Sequence, residues 1–415
     1  MNPVSIDRVD FYHPGYLVTY RGRIERLSPH DPRPDFPEAE FIDFGNYAIM
    51  PGFVDTHVHL PQLAIMGIEA GSLLDWLNAY ALPEESRFSD PEYARRISNL
   101  FFDGLISNGT TCAMIYCSMH ETATDIAFDV AAQKGIRAFI GKSMMDQNAP
   151  TGMLETSDES INASTRLFEK WDGANDGRLR YVFTPRFAGS CSMDLMRRVG
   201  KIAKERAAFI QSHLSENTSE VDWIRTIFPE QASYTDVYAA AGLLGHRTIM
   251  AHCIHVSDSE VALLANSGTA VAFCPYSNRV LRSGVMPYAR LREAGLRIGL
   301  ASDVGACPTL SMFRQMGEAL SSANIGATRL TPQGALYLAT LGGAKVLGLE
   351  DRIGNFAPGK DADFIVVDYQ KTDPLQGSGS YEGHAQILSR LCYNGDAVCI
   401  KETYLLAQST LGLRS

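Results

Sequence analysis

The feature that most constrains the fold of this chain is a regular alternation of short apolar runs and amphipathic helical stretches through its middle. The runs are rich in apolar and β-branched residues, which is typical of buried strands. Predicted strands lie at residues 48–55, 110–116, 137–142, 179–184, 208–212, 248–252, 269–274 and 297–301. Eight strands that alternate with helices favour an α/β fold of the (β/α)8 TIM-barrel type over an open sheet.

Both ends of the chain lack this alternation. Residues 16–20 precede an Arg-Gly-Arg turn, and similar short pieces occur at 363–368 and 402–406, which indicates antiparallel strands with tight turns. We therefore predict a small β-sandwich-like domain built from both termini, residues 1–47 and 353–415, with the barrel at 48–352 inserted between them. A long segment at 71–90 is predicted to cover the barrel mouth.

Composition narrows the function classes. The 415 residues carry a formal net charge of −10 and no long basic run, which argues against a nucleic-acid surface. No apolar run reaches membrane-spanning length, and residues 1–15 lack the basic and apolar regions of a signal peptide. The eight cysteines form no C-x-x-C pair, which predicts reduced, mostly buried thiols and a cytoplasmic enzyme.

Metal-binding side chains follow several of the predicted strands. His57 and His59 close the first strand, and their spacing of two residues directs both imidazoles to one face. His213, His252 and Asp303 come at the ends of the fifth, sixth and eighth strands. Because barrels of this type carry their chemistry at the carboxyl ends of the strands, we expect these side chains to converge. Imidazoles with one carboxylate suit zinc or ferrous iron better than calcium or magnesium.

Glu216 lies three residues beyond His213, in the sequence His-Leu-Ser-Glu. A carboxyl group at this position can move a proton between a metal-activated water and a leaving group. The alternative is a structural role as a cap of the helix that follows.

Seven segments resemble the guanine deaminases of the amidohydrolase superfamily, and residues 357–368 resemble the β-sandwich domain of that superfamily. The segments are PGFVDTHVHLPQ (51–62), LLDWLNAYALPEESRF (73–88), TPRFAGSC (184–191), HLSEN (213–217), MAHC (250–253), CPYSN (274–278) and SDVG (302–305). The resemblance runs in order over residues 45–400. The His-x-His pair alone is common to many amidohydrolases, whereas the combination of segments is much more specific.

The resemblance implies one zinc ion per chain, with Fe(II) as an alternative, and hydrolysis by a metal-activated hydroxide. The implied metal ligands are His57, His59, His213 and Asp303. The implied catalytic residues are Glu216 as proton shuttle, His252, which would hold or activate the water, and Asp303, which would also accept a proton. The implied substrate contacts are Gln62, Arg186, Phe187, His213, Glu216 and Asp303.

The implied reaction converts guanine and water to xanthine and ammonia, a step of purine catabolism that needs no organic cofactor. The enzyme would be a hydrolase of C–N bonds in cyclic amidines, with a small purine as its partner, and a homodimer. Lys142 ends the third strand, where a carboxylated lysine would allow a second metal, but the His-Leu-Ser-Glu acid and the lack of a matching lysine on the fourth strand favour one metal.

The chain departs from the family pattern near the predicted mouth. Arg279 and Arg282 stand where the family has an apolar and a small residue, and residues 305–308 replace a run richer in glycine. The two guanidinium groups would either favour a different or more anionic ring or be solvated loop charges. The open alternatives are deamination of a pterin, a triazine or another purine, and a catalytically silent scaffold. A silent scaffold should have lost a ligand or Glu216, and this chain has lost none.

Overall fold

The structure is a computed structural model that describes residues 1–69, 71–324, 329–375 and 383–411. Within the predicted terminal domain, residues 376–382 and 412–415 lie outside the described residues. The strands are β1 (Asn2–Ser5), β2 (Arg8–Asp10), β3 (Tyr16–Tyr20), β4 (Arg23–Ser28), β5 (Ala48–Pro51), β6 (Phe53–His59), β7 (Thr110–Cys117), β8 (Arg137–Met144), β9 (Leu179–Pro185), β10 (Phe209–Leu214), β11 (Thr248–His252), β12 (Ala270–Phe273), β13 (Ile298–Leu300), β14 (Phe364–Val367), β15 (Ile400–Leu405) and β16 (Gln408–Ser409).

The helices fill most of the chain between the strands. The α-helices are α1 (Leu73–Trp76), α2 (Leu82–Ser86), α3 (Pro91–Ser107), α4 (Glu121–Lys134), α5 (Ser157–Trp171), α6 (Ala174–Gly177), α7 (Met193–Arg206), α8 (Thr218–Ile227), α9 (Tyr234–Ala240), α10 (Asp258–Ser267), α11 (Pro275–Val280), α12 (Tyr288–Glu293), α13 (Met312–Ala323), α14 (Pro332–Tyr337), α15 (Gly343–Val346) and α16 (His384–Asn394). Short 3-10 turns lie at Leu60–Ile65, Arg87–Ser89, Thr151–Met153, Ala188–Ser190, Tyr369–Thr372 and Ala397–Cys399, and π-helical turns at Leu77–Ala81 and Leu338–Gly342.

The central sheet confirms the predicted barrel. Strands β6 to β13 pair in parallel and in chain order. The last strand meets the first at the mouth, where the Asp303 N–H donates to the His57 carbonyl at 2.9 Å and the His59 N–H to the Val304 carbonyl at 2.8 Å. These bonds hold the segment after β13 against the end of β6. The carboxyl ends of all eight strands therefore lie around one opening.

Alternating strand residues fill the barrel beneath this opening. Met114, Phe139, Val182 and Phe209 belong to one buried cluster, in which the rings of Phe139 and Phe209 pack edge to face at 5.1 Å. Helices cover the outer faces of the strands. In α7, for example, the Ser192 hydroxyl caps the first turn, and one apolar face is buried. The interior is thus a packed core, and a ligand pocket lies above it.

The terminal segments form antiparallel sheets, as predicted. β3 and β4 make a hairpin, and β5 joins β14, β15 and β16 in a four-stranded sheet. One strand boundary is wrong: residues 48–51 pair with β14, and the barrel strand begins at Phe53. The C-terminal segment is also not all β, because α16 packs against α13 and α14. The division into two domains stays a prediction.

Two buried ion pairs join the amino-terminal end of the barrel to the terminal sheet. Arg137 at the start of β8 pairs with Asp361, and Arg178, just before β9, pairs with Asp363 at 3.1 Å. The Asp363 carboxylate also accepts the Leu406 N–H at 2.9 Å. We call these four charged residues the basal ion pairs.

All eight cysteines are free and buried, as their spacing predicts. Burial raises the pKa of each of these thiols. Among the described residues, every helix is too short or too polar to cross a lipid bilayer.

Candidate active site

The predicted ligands converge at the barrel mouth. The Nε2 atom of His59 lies 3.2 Å from Nε2 of His57 and 3.2 Å from Nε2 of His213. Asp303 Oδ1 lies 3.2 Å from Nε2 of His57 and 3.5 Å from that of His59. Four metal-ligating atoms, from the ends of β6 and β10 and from the segment after β13, therefore face one point.

This arrangement fits a tetrahedral metal ion. With metal–ligand bonds of about 2.0–2.1 Å, tetrahedral ligand atoms lie about 3.3 Å apart, close to the separations found here. Burial lowers the pKa of His57, and together with the neighbouring imidazoles it lowers those of His59 and His213 strongly. The inward-facing nitrogen of a neutral imidazole can offer a lone pair, and several lone pairs that face one another have no hydrogen-bond donor between them. A bound cation would accept all of these lone pairs at once.

The ligands are held by contacts outside the site. The Arg186 carbonyl lies 2.6 Å from Nδ1 of His213, which directs the Nε2 atom inwards. Burial raises the pKa of Asp303, but the hydrogen bond with His57 and the proximity of His57 and His252 outweigh it and lower that pKa. Asp303 adopts a left-handed φ of 52°, a strained conformation that is common at functional sites. Cys274 also lies close, and burial raises its pKa well above the usual value.

Glu216 and His252 form a second pair beside the ligands. His252 Nε2 lies 3.3 Å from Glu216 Oε2 and 3.9 Å from Asp303 Oδ2. Burial raises the pKa of Glu216 to about 7, although the charge of His252 opposes this. Burial lowers the pKa of His252, but the charges of Glu216 and Asp303 outweigh it and raise that pKa. A carboxyl group with a pKa near 7 can both accept and donate a proton at neutral pH.

The capping alternative for Glu216 is not what the structure shows. The cap of α8 is made by Asn217, whose side chain accepts the Ser219 N–H, and by Glu220, whose carboxylate accepts the N–H groups of Glu216 and Asn217. The Glu216 carboxylate instead points into the pocket, where its Oε1 accepts the Ser283 hydroxyl at 3.1 Å.

A pocket lies directly above these groups and contains the predicted substrate residues. Gln62, Arg186 and Phe187 line it, together with His213, Glu216 and Asp303. Gln62 and Arg186 are buried, and the Phe187 ring lies 5.8 Å from that of Trp223. The structure thus brings every predicted site residue to one place, while their roles stay predictions.

The segment at 71–90 covers this pocket, as predicted. Leu73, Leu74, Trp76 and Leu77 close its outer side, and Leu73 and Trp76 belong to a buried cluster with Leu281. The cover is helical, since it consists of α1, the first π-helical turn and α2. An apolar cover of this kind excludes water from the groups beneath it.

Of the departures from the family pattern, the run at 305–308 reaches the pocket through Ala306, whereas the two arginines do not line it. Arg279 pairs with Glu318 at 2.8 Å, Arg282 pairs with Glu69 at 3.3 Å, and both guanidinium groups are exposed. They are solvated loop charges, which is one of the two interpretations left open by the sequence. Lys142 also lies apart from the described metal-binding groups, because it is buried against Glu155.

Sequence reasoning missed four residues that contact the site. Tyr116 packs its ring against His57, His59 and His213, with centroids 4.6–4.9 Å apart. Asn278 Oδ1 lies 2.8 Å from Nδ1 of His252, and Ser283 holds Glu216. The fourth residue is Glu85, in the cover. Tyr116 was open to prediction, because it ends the second strand, while the other three lie on helices or loops.

Comparison with known proteins agrees with this geometry. The model of the amidohydrolase family matches residues 48–405. The guanine deaminase of Escherichia coli K12 is 36% identical over 411 residues, which cover 97% of this chain and 93% of that protein. The crystal structure of guanine deaminase from C. acetobutylicum, with guanine bound in its active site, superimposes with a TM-score of 0.92 at 31% identity and covers 98% of this chain and 96% of that one. Atrazine chlorohydrolase from Arthrobacter aurescens, complexed with zinc, shares the fold at 17% identity, with a TM-score of 0.83 and coverage of 95% and 90%.

Proposed function

The chain belongs to the amidohydrolase family, and we propose that it is a guanine deaminase, which hydrolyses guanine to xanthine and ammonia in purine catabolism. One observation carries this proposal: donor atoms of three histidines and one aspartate converge at 3.2–3.5 Å beneath a covered pocket lined by Gln62 and Arg186. The relative with guanine bound in its active site supports the choice of ring.

We infer that His57, His59, His213 and Asp303 bind one zinc ion, and the same ligands also suit Fe(II). Bound there, such an ion lowers the pKa of a water molecule from about 15.7 towards about 7. The three imidazoles are held in the neutral form that a metal ligand requires, because burial lowers their pKa values.

Glu216 is the proposed proton shuttle. Its pKa of about 7 allows it to take a proton from the attacking water and to pass one to the departing amine. His252 Nε2 lies within 3.9 Å of both the Glu216 and the Asp303 carboxylates, so this atom can hold the attacking water. Asp303 Oδ2 faces His252 and is placed to accept the second proton of the water.

Gln62, Arg186 and Phe187 are the proposed contacts to the purine. Arg186 presents guanidinium N–H donors that suit a ring carbonyl, and Gln62 offers one donor and one acceptor group to a ring edge. The Phe187 ring supplies a flat apolar surface against which a base can stack.

The experiment is a substrate panel with zinc-loaded protein. Ammonia release is measured with guanine, a pterin, a triazine and cytosine, and metal content is measured on the same sample. We expect guanine to be turned over fastest, with about one zinc per chain. Turnover of the pterin or the triazine without guanine activity would replace the proposed substrate. A correctly folded chain that binds neither zinc nor iron would favour the silent scaffold.

Two further predictions are independent of the chemistry. The homodimer implied by the resemblance is tested by light scattering after size-exclusion chromatography. The cytoplasmic location is tested by cell fractionation. Neither outcome affects the assignment of the site residues.

A further inference from the structure

We propose that Glu85 is a positioning residue with two effects on the base-binding pocket: it fixes which hydrogen-bond donors and acceptors face the base, and it balances the charge of the pocket wall. Glu85 lies in α2, within the cover, and its side chain is 1% exposed. It contacts two of the proposed purine-binding residues, so the inference rests on the proposed function and extends it to selectivity between substrate and product.

Both oxygens of the Glu85 carboxylate are used. Oε1 accepts a hydrogen bond from Nε2 of Gln62 at 2.8 Å, and Oε2 accepts one from Nη1 of Arg186 at 2.6 Å. Charge-assisted bonds of this length are among the stronger ones in proteins. One carboxylate therefore fixes the relative position of the amide and the guanidinium group.

Glu85 also determines which way the Gln62 amide faces. Its nitrogen donates to Glu85, while its oxygen accepts the Gly305 N–H at 3.2 Å. A flipped amide would place oxygen against a carboxylate and nitrogen against an N–H donor, so both contacts would be lost. The second N–H and the second oxygen lone pair of the Gln62 amide are thus presented to the ring at fixed positions.

The second consequence concerns charge. Arg186 is buried, and Glu85 balances its positive charge in the pocket wall. A balanced pair favours a neutral ring, such as guanine. Xanthine loses a ring proton near neutral pH, so an unbalanced Arg186 would attract the product anion. Glu85 thereby favours release of the product as well as binding of the substrate.

The chain supplies a matched control in the adjacent residue. Glu84 lies in the same helix and is also buried, but its carboxylate accepts bonds from Tyr93 and from Arg87, the latter at 2.9 Å, rather than from Gln62 and Arg186. Glu84→Gln and Glu85→Gln therefore make the same chemical change in the same helix, and only the second reaches the proposed base contacts.

The experiment compares wild type, Glu84→Gln, Glu85→Gln and Glu85→Asp, all zinc-loaded. Guanine kinetics are combined with calorimetric titration of xanthine at pH 6.5 and 8.5. For Glu85→Gln we expect kcat/KM to fall about 100-fold through misplaced contacts, with the metal content unchanged. Its affinity for xanthine at the higher pH should rise at least about 10-fold relative to wild type. Glu84→Gln should match wild type in both measurements.

Glu85→Asp separates the two effects. It keeps the charge but is one methylene shorter, so we expect weak xanthine binding as in wild type together with a lower kcat/KM. This variant also carries the test if Glu85→Gln does not fold, because wild-type kcat/KM in Glu85→Asp would then overturn the proposal.

The remaining outcomes are distinguishable. Unchanged guanine kinetics in Glu85→Gln, or equal losses of guanine and xanthine affinity, overturn the role of Glu85 alone. Loss of the metal from Glu85→Gln also overturns it. A wild-type protein that neither turns over guanine nor binds xanthine overturns the proposed function, and the role of Glu85 with it.

Discussion

The two ends of the barrel both bury charged or ionisable side chains, but only one end balances them within the protein. At the amino-terminal end, the basal ion pairs set Arg137 against Asp361 and Arg178 against Asp363. At the mouth, three imidazole nitrogens and the Asp303 carboxylate face one another at 3.2–3.5 Å. The first arrangement holds its own counter-charges, whereas the second needs a cation from outside.

Both sets of side chains are buried, so burial does not distinguish structural groups from functional ones, whereas the balance of charge within the protein does. The basal ion pairs connect the barrel to the terminal sheet, so we expect their loss to affect stability. The three imidazoles and the carboxylate at the mouth all point lone pairs inwards, so we expect their loss to affect metal binding and catalysis. A change at one end should therefore leave the property that the other end governs unaltered.

Removal of the metal should have the largest effect. Dialysis against a chelator is expected to reduce guanine turnover to the background rate, and added zinc should restore it. Because a ligand present at about 1,000 times its Kd stabilises the folded state by about 4 kcal/mol, thermal unfolding should also move to a lower temperature. Full activity in protein shown to be metal-free by elemental analysis would contradict the site.

Glu216→Gln should have the next largest effect. It removes the proton shuttle and leaves the four proposed ligands in place. We expect kcat to fall by about 10²–10⁴-fold, the usual contribution of general acid–base catalysis, while zinc stays near one per chain. Steady-state kinetics and metal analysis on one preparation check both parts. Retained turnover would exclude the shuttle role.

Arg178→Met tests the basal ion pairs at the amino-terminal end of the barrel. It leaves the buried Asp363 carboxylate without its counter-charge, and breaking such a pair costs about 3–5 kcal/mol of unfolding free energy. Urea unfolding should show this loss, while kcat/KM of the folded fraction should equal that of wild type. Arg225→Met, which breaks the exposed pair with Asp222, is the control and should cost less than about 1 kcal/mol. A loss of activity without a loss of stability would break the comparison.

Ser283→Ala should have the smallest effect. It removes the hydroxyl that donates to Glu216 Oε1, a bond worth about 1.5 kcal/mol or roughly 10-fold in rate. Stopped or continuous assays of kcat check this, with Ser267→Ala as the control, since that hydroxyl donates to a helix carbonyl far from the pocket. Equal rates in both variants would show that Ser283 does not position the shuttle.

Much of the barrel was predictable from local pattern. Seven of its eight strands were predicted to within three residues at each end, because apolar runs and strand ends are local properties of the sequence. The exception is the first strand, where residues 48–54 form one continuous run without a polar side chain that crosses from β5 into β6. Residues 48–51 are assigned to a different sheet only because they pair with β14, which lies more than 300 residues away in the sequence and is not visible in a local pattern.

The same reasoning explains the parts of the site that were missed. His57, His213 and Asp303 stand at strand ends, where their type and position are informative together. Glu85 and Ser283 lie on a helix and a loop, where a glutamate or a serine is usually exposed. Their contacts with Gln62 and Glu216 depend on how the cover and the loop after α11 fold over the mouth, which no local pattern specifies.

The buried cysteines give the chain a built-in reporter of unfolding. Alkylating reagents attack the thiolate, and burial both shields the eight sulfur atoms and raises their pKa values. A folded molecule should therefore remain unmodified, while a molecule that opens completely should gain eight adducts. Mass spectrometry after a short pulse of reagent would count opened molecules directly for each variant, and the readout itself requires neither metal nor substrate.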